Sequence, residues 1–290
     1  MRKQKRKVKL QKQISADMCE QSLTNFYTKR LEIVKRTLSE AAEIAMRLFG
    51  KVSGTGKNDG TFVTQADGEV ERYILQKLQE NFPEDTVVGE ETGVHEHASP
   101  YMWSVDPIDG TAAYLCRMPF WGISVGMIKD GLPVLGAVYL PVLDELYYAA
   151  DKCGAYMESK IWGLQKLDIR EADLSQKEHL ILIPSTFHHN YVLSSKRKAR
   201  SLGSCVANAL MVARGDASCA FANSYHWDLA GCLSILLEAG GCVRRLDGKD
   251  FRILDLQKNG QPKPTVLLSN PQDLEINLNV AKPIQKDRFI

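Results

Sequence analysis

The chain has 290 residues, 44% hydrophobic and 25% charged, with a formal net charge of +2. That length builds one large domain or two intimate subdomains around a sizeable core. No apolar run approaches the ~20 residues needed to span a bilayer, which argues against a membrane protein. The charge is unevenly placed: residues 1–12 carry seven basic side chains and no acid, and taking seven from +2 leaves −5 for the rest.

The basic N-terminus lacks the apolar region of a secretory signal. The seven cysteines are scattered, odd in number and without a C-x-x-C pair. Reduced thiols in a cytoplasmic protein are therefore expected. A basic tail could meet nucleic acid, but residues 1–12 contain no aromatic side chain to stack on bases, so nucleic acid is not the expected partner. Residues 1–17 are expected to be a basic, disordered tail.

In chain order, residues 18–50 read as a helix, because Leu31, Val34, Leu38, Ala41, Ala42, Ala45 and Leu48 recur at helical spacing before Gly50. The polar, Gly-rich run 51–61 reads as a loop or hairpin. A second helix starts near Thr64, where Thr64 and Asp67 fit a capping box and Val70, Ile74, Leu75 and Leu78 form the apolar stripe. Thr86–Gly89 is a short strand ahead of Glu90-Glu91. Tyr101–Val105 is a strand that stops at Asp106. Gly122–Ile128, Val134–Leu140 and Glu145–Ala150 are further strands, the first two joined by the turn Lys129-Asp130-Gly131. From about residue 166, strands are expected at Leu180–Pro184, Ala217–Ala222 and Val266–Ser269, and helices at Cys205–Arg214 and Asp228–Ala239. Gly240-Gly241 closes the last helix. The expected domains are 18–165, with most of the acidic residues below, and 166–290, with Asp228.

Three acidic clusters sit at strand or helix ends: Gly89-Glu90-Glu91, Asp106-Pro107-Ile108-Asp109-Gly110-Thr111, and Trp227-Asp228. In the second, Pro107 fixes φ and Gly110 permits an unusual backbone angle, so two aspartates can face one pocket from a tight turn. Thr111 stands where a helix begins. Free N–H groups at such a start bind phosphate oxygens, and a threonine hydroxyl can hydrogen-bond a water. Four converging carboxylates would repel one another unless hard cations such as Mg²⁺, which take oxygen ligands, compensate.

These three clusters, in this order, resemble the signature motifs of the inositol monophosphatase family. So do Pro119-Phe120 ahead of Ser124-Val125-Gly126, Gly136-Ala137-Val138-Tyr139, Gly203-Ser204 before a helix, and Glu238-Ala239-Gly240-Gly241. The resemblance runs from about residue 25 to 275. It implies an α+β fold, a layered α-β-α-β-α sandwich with an antiparallel sheet in the first half and a mixed sheet in the second. It implies a Mg²⁺-dependent phosphomonoesterase with two or three ions per site, a small phosphorylated metabolite as substrate, and a homodimer. Glu90, Asp106 and the Ile108 carbonyl would hold one ion, and Asp106, Asp109 and Asp228 another. A third, weaker ion would lie near Glu90. Glu90, Thr111 and Asp67 would be catalytic, with Asp67 orienting Thr111. Gly110 and Thr111 would cradle the phosphate, and Gly203, Ser204, Phe221 and Asp228 would meet the substrate. A non-catalytic phosphate- or metal-binding regulator is the competing class, and the presence of Thr111 and Asp67 argues against it.

The chain departs from the inositol-specific pattern at Phe221, where a hydroxyl-binding glutamate is expected seven residues before Asp228, and at Ala112-Ala113, where asparagine usually follows the Gly-Thr pair. Residues 158–162 and 187–198 also differ. These changes point toward another sugar- or nucleotide-type phosphate, such as fructose 1,6-bisphosphate, adenosine 3′,5′-bisphosphate or histidinol phosphate. The pairs His95/His97 and His188/His189 read as solvated loop residues, Lys196–Arg200 as a solvated loop, and His226 as a candidate pocket residue.

Overall fold

From Arg2 to Leu48 the chain is one helix, α1. It starts well before residue 18, where the apolar pattern begins. The reason is legible afterwards: no glycine or proline interrupts residues 2–49, so nothing stops the helix upstream. The computed structural model describes residues 2–57, 60–169, 180–256 and 263–284, with side chains from residue 24 onward. The basic side chains of residues 2–12 and the expectation of a disordered tail thus lie outside what can be compared at side-chain level. From Tyr27 to Ala45, α1 buries Leu31, Val34, Leu38, Ala41 and Ala42 on one face.

A two-stranded hairpin, β1 (Thr55–Gly56) and β2 (Phe62–Val63), precedes α2 (Gln65–Asn81). Thr64 and Asp67 form the expected capping box of α2, and Val70, Ile74 and Leu78 pack its buried stripe against α1 and the sheet below. Then follow β3 (Thr86–Gly89), β4 (Gly93–His95), β5 (Tyr101–Asp109), the short α3 (Thr111–Leu115), β6 (Gly122–Lys129), β7 (Leu132–Leu140), β8 (Glu145–Ala150), β9 (Gly154–Ser159) and β10 (Gly163–Leu167). Strands β3 to β10 form one eight-stranded sheet in the order β10-β9-β8-β7-β6-β5-β3-β4. Its pairs are antiparallel except β3–β5, which is parallel. The cause is β4: it folds back on β3 at the sheet edge, and the chain then re-enters on β3's other side in β3's own direction.

The second half holds β11 (Leu180–Leu182), β12 (Tyr191–Leu193), β13 (Ala199–Arg200), α4 (Cys205–Ala213), β14 (Ala217–Ala222), α5 (His226–Glu238), β15 (Cys242–Arg245), β16 (Val266–Ser269), α6 (Leu274–Leu278) and β17 (Ala281–Pro283). A five-stranded sheet runs β13-β11-β14-β16-β15. It is mixed, with β11 parallel to β13 and β14, and β16 antiparallel to β14 and β15. Helices α4 and α5 lie between the two sheets, α1 and α2 cover the outer face of the first, and α6 packs on β16. These are the expected alternating layers.

The middle layer positions the site. Helix α5 sits so close to β6 and β7 that a Cβ at Gly136 would lie 2.0 Å from the Gly231 carbonyl oxygen. Only glycine admits that approach. With α5 so seated, its first turn meets the far end of β5.

Candidate metal and phosphate site

The β5–β6 ladder skips between Asp106 and Asp109. This bulge at Pro107-Ile108 lets β5 run four residues beyond the expected end at Val105, and it re-aims side chains as bulges at functional strand ends do. Asp106 is 1% exposed, and its Oδ1 accepts the Ile108 N–H at 3.0 Å. Gly110 then takes φ of +88° and starts α3. A side chain there would be strained by that angle and would meet the Gly203 carbonyl at 2.9 Å.

Asp228 is the third residue of α5, two beyond its start. There its Oδ2 accepts the Tyr225 N–H at 2.6 Å, a capping contact that orients the carboxylate. Asp109 Oδ2 accepts from the Ser204 hydroxyl and from the Val206 N–H at the start of α4. Three elements thus bring one oxygen each from Asp106, Asp109 and Asp228 within 4.8 Å of one another.

The electrostatics follow from this crowding. Burial raises the Asp106 carboxyl well above its usual range, and repulsion from Glu90, Asp109 and Asp228 adds to it. Burial, then Asp228, pushes Asp109 up to about 8. Glu90 is raised to about 7 by burial and by Asp228, with Lys57 opposing. Asp228 is raised by burial, against the Tyr225 N–H. Such a set holds protons or needs cations, and its donors are all hard oxygens suited to Mg²⁺.

Glu90 stands outside the compact trio. It follows β3, and its Oε1 takes a 2.8 Å hydrogen bond from Lys57 Nζ, which also bonds Glu91. Glu71 holds this turn by accepting the N–H groups of Glu91 and Thr92 at 2.9 and 2.8 Å. Sequence reasoning missed both Lys57 and Glu71. The Gly-rich run around Lys57 reads as loop, and a lysine in a loop carries no periodic signal. Glu71 on α2 was open to detection as an acid inside an apolar stripe.

Asp67 is fully buried. Its Oδ2 accepts from the Thr64 N–H and hydroxyl at 2.7 and 2.6 Å. Its Oδ1 faces the Thr111 hydroxyl at 3.3 Å, and that hydroxyl also lies 3.2 Å from the Ile108 carbonyl. Burial raises the Asp67 carboxyl while the Thr64 contacts oppose the rise. The capping box of α2 is therefore also what aims Asp67 at Thr111.

Beside Asp109, a cavity of about 150 Å³ is lined by Ser185, Gly203, Ser204, Cys205, Asn208 and Phe221 among others. The Ser204 hydroxyl is committed to Asp109 and to the Ala207 N–H. Asn208 Oδ1 is buried without a hydrogen-bond partner. Phe221 is 1% exposed and packs its ring 5.2 Å from that of Phe187, so it borders the cavity from within a hydrophobic cluster. His226 is buried, shares a 2.7 Å hydrogen bond between Nδ1 and Ser104 Oγ, and is lowered to about 4 by burial. With Glu90 and Trp227 it lines a separate cavity of about 520 Å³. His95, His97, His188 and His189 are exposed, and none belongs to a metal-ligand group among the described residues.

Comparison with known proteins agrees with this geometry. The profile of the inositol monophosphatase family matches residues 22–277. A fructose-1,6-bisphosphatase/inositol-1-monophosphatase of Aquifex aeolicus is 32% identical over 248 residues, spanning 79% of this chain and 89% of that protein. A histidinol-phosphatase of Chlorobaculum parvum is 30% identical over 221 residues, 74% of this chain and 85% of that one. Among solved structures, the Thermotoga maritima IMPase superposes with a TM-score of 0.73 at 26% identity, covering 87% of this chain and 96% of that one.

Proposed function

Since the chain belongs to the inositol monophosphatase family and is a phosphoric monoester hydrolase, we propose that it is Mg²⁺-dependent and acts on a small sugar-, inositol- or nucleotide-type phosphate. The observation that carries the cofactor is the crowded aspartate trio, whose oxygens lie within 4.8 Å of one another. Asp106, Asp109 and Asp228 would hold one ion, and Glu90, Asp106 and the Ile108 carbonyl another, with a third near Glu90. When bound, the metal supplies Lewis-acid activation of water and neutralises charge on the phosphoryl oxygens.

The protein's own groups do the rest. The Thr111 hydroxyl directs its proton toward Asp67 Oδ1 or the Ile108 carbonyl, so its lone pairs accept a hydrogen bond from the attacking water. Asp67, held by Thr64, keeps Thr111 in that orientation. Backbone N–H groups of Gly110 and Thr111 would receive the phosphate at the turn into α3. Gly203, Ser204 and Phe221 would border the leaving group, with Ser204 acting mainly by fixing Asp109.

The names of the relatives span fructose-1,6-bisphosphatase/inositol-1-monophosphatase and histidinol-phosphatase, which supports a phosphorylated polyol or amino alcohol as the substrate class. The family resemblance supports a homodimer, and the bacterial relatives support a cytoplasmic setting. No helix among the described residues is long and apolar enough to cross a membrane. The test is phosphate release over a panel of phosphomonoesters with Mg²⁺ and with chelator. Turnover with at least one polyol phosphate, abolished by chelation, is expected. Metal-independent turnover, or none, overturns the proposal.

A further inference from the structure

Helix α4 begins at the site. Ser204 caps it, with a hydroxyl that accepts the Ala207 N–H and donates to Asp109. Asn208 follows one turn later, its N–H 3.2 Å from the Ser204 carbonyl. Residues four apart share a helix face, so Asn208 stands on the Ser204 side of α4. It is 3% exposed and lines the cavity of about 150 Å³ beside Asp109.

Other polar side chains around this cavity are engaged. Ser204 is held by Asp109 and Ala207. The Ser185 hydroxyl pairs with that of Ser201 at 3.2 Å. The Ser224 side chain faces Cys205 and Asp228. Phe221 contributes an apolar ring to the wall. Asn208 differs: its Oδ1 is buried and has no hydrogen-bond partner. Buried polar atoms are satisfied in the great majority of cases, so an orphan calls for a reason. Rotation about the asparagine Cβ–Cγ bond is roughly two-fold, and a half-turn exchanges the amide oxygen and nitrogen. An amide that both accepts and donates matches a hydroxyl, which does the same.

We propose that Asn208 is a specificity-determining residue of this phosphatase: its amide binds a hydroxyl of the leaving alcohol in the cavity that Phe221 borders. It supplies the polar contact that the Phe221 ring lacks. The contact binds and orients the alcohol and takes no part in bond breaking. This inference rests on the phosphatase reading above and adds the recognition group that reading leaves open.

The experiment compares kcat/KM for myo-inositol 1-phosphate and cyclohexyl phosphate, the same ring with and without its free hydroxyls. The proteins are the wild type, Asn208→Ala and Asn208→Ser, at saturating Mg²⁺. The wild type should prefer the hydroxylated ring at least tenfold, about 1.4 kcal/mol. Asn208→Ala should cut that ratio about fivefold or more, and Asn208→Ser, which keeps a hydroxyl, should cut it less. The loss should appear in KM for the inositol ester with kcat within about twofold, as for a contact made equally in the ground and transition states. Asn208→Ala should also melt no lower than the wild type, because Oδ1 has no partner to lose and alanine favours the helix. A wild type that treats the two rings alike, or an unchanged ratio in Asn208→Ala, overturns the inference. So does an Asn208→Ala protein that melts several degrees lower and loses kcat on both esters, which would make Asn208 a support of the fold. If the wild type releases phosphate from other phosphomonoesters but from neither ring, the inference fails while the phosphatase reading stands. Release from no phosphomonoester sinks both.

Discussion

Asp106→Asn separates stability from function at this site. Asp106, Asp109 and Asp228 offer oxygens within 4.8 Å. At an effective dielectric of about 20, each fully ionised pair at that distance costs roughly 3.5 kcal/mol. Three such pairs would approach the ~5–15 kcal/mol of a whole domain's stability, so the metal-free protein must keep protons on the cluster. Burial and the neighbouring carboxylates favour the protonated form of Asp106, beside Asp228. The unfolded chain releases that proton near pH ~3.9, whereas the folded chain keeps it well above that. Between those limits the folded state binds more protons. Its stability is therefore greatest below the unfolded pKa and falls as pH rises, by up to about 1.4 kcal/mol per unit per proton. Asp109, raised to about 8, and Glu90, raised to about 7, extend the same loss across neutral pH.

An asparagine at 106 mimics the protonated acid. Its Oδ1 can still accept the Ile108 N–H, and its Nδ2 can donate to Asp228. The variant in chelator at pH 8 should be more stable than the wild type by about 2 kcal/mol or more, a Tm rise of roughly 4–8 °C. At pH 5 the difference should shrink. Mg²⁺ at about 100 times its Kd should stabilise the wild type by about 2.7 kcal/mol at pH 8, and less at pH 5, where protons compete for the same oxygens. The variant should lose both that shift and its turnover. Differential scanning fluorimetry at the two pH values, with chelator and with Mg²⁺, reads every term. A variant less stable than wild type at pH 8 in chelator, or one still stabilised by Mg²⁺, refutes the reasoning.

Thr111→Ala and Asp67→Asn should each lower kcat about 100-fold or more, as expected for a lost proton-handling group, with Thr111→Ser retaining most activity; steady-state kinetics at saturating Mg²⁺ decides. Phe221 supplies no hydrogen-bond acceptor where a carboxylate would contribute roughly 1.5–3 kcal/mol. The kcat/KM for myo-inositol 1-phosphate should accordingly exceed that for other phosphomonoesters by less than ~100-fold, about 2.7 kcal/mol, and a larger preference counts against Phe221 as the cause. Removal of residues 1–12 should change turnover of a small soluble substrate by less than about twofold, because sparse apolar residues give that segment little to dock with; loss of turnover would place it in the site.

The sequence reveals the centre of this site better than its surroundings. Asp106, Asp109 and Thr111 are readable because proline and glycine punctuate a strand end, and the geometry there is local. Asp67 is readable for the same reason, as the capping partner of Thr64. What the pattern hides is non-local. The parallel β3–β5 pair depends on where β4 folds, which no periodicity encodes. The bonds from Lys57 to Glu90 and from Ser204 to Asp109 join residues 33 and 95 positions apart. The length of α1 escapes for another reason: an apolar stripe marks where a helix is buried, while its end is set by the first breaker, and residues 2–49 contain none.

This contrast also explains why the chemistry is easier to identify than the substrate. The aspartate trio is held by the end of β5, the start of α4 and the first turn of α5, where the helical middle layer is locked against the first sheet by contacts such as Gly136 against Gly231. Moving any one carboxylate would require repacking the middle layer. The surroundings of the trio are built differently. Ser185, Gly203, Asn223, Tyr225 and Lys263 lie in connections between elements, where substitutions and insertions disturb little of the core. Hydrogen bonds such as Asn223 to Lys263 and Thr265 help to pin them. Loop residues can therefore change while the aspartate trio stays fixed. Phe221, near the end of β14, is the position in this chain that bears most directly on the proposed selectivity, since it leaves the cavity wall without a carboxylate.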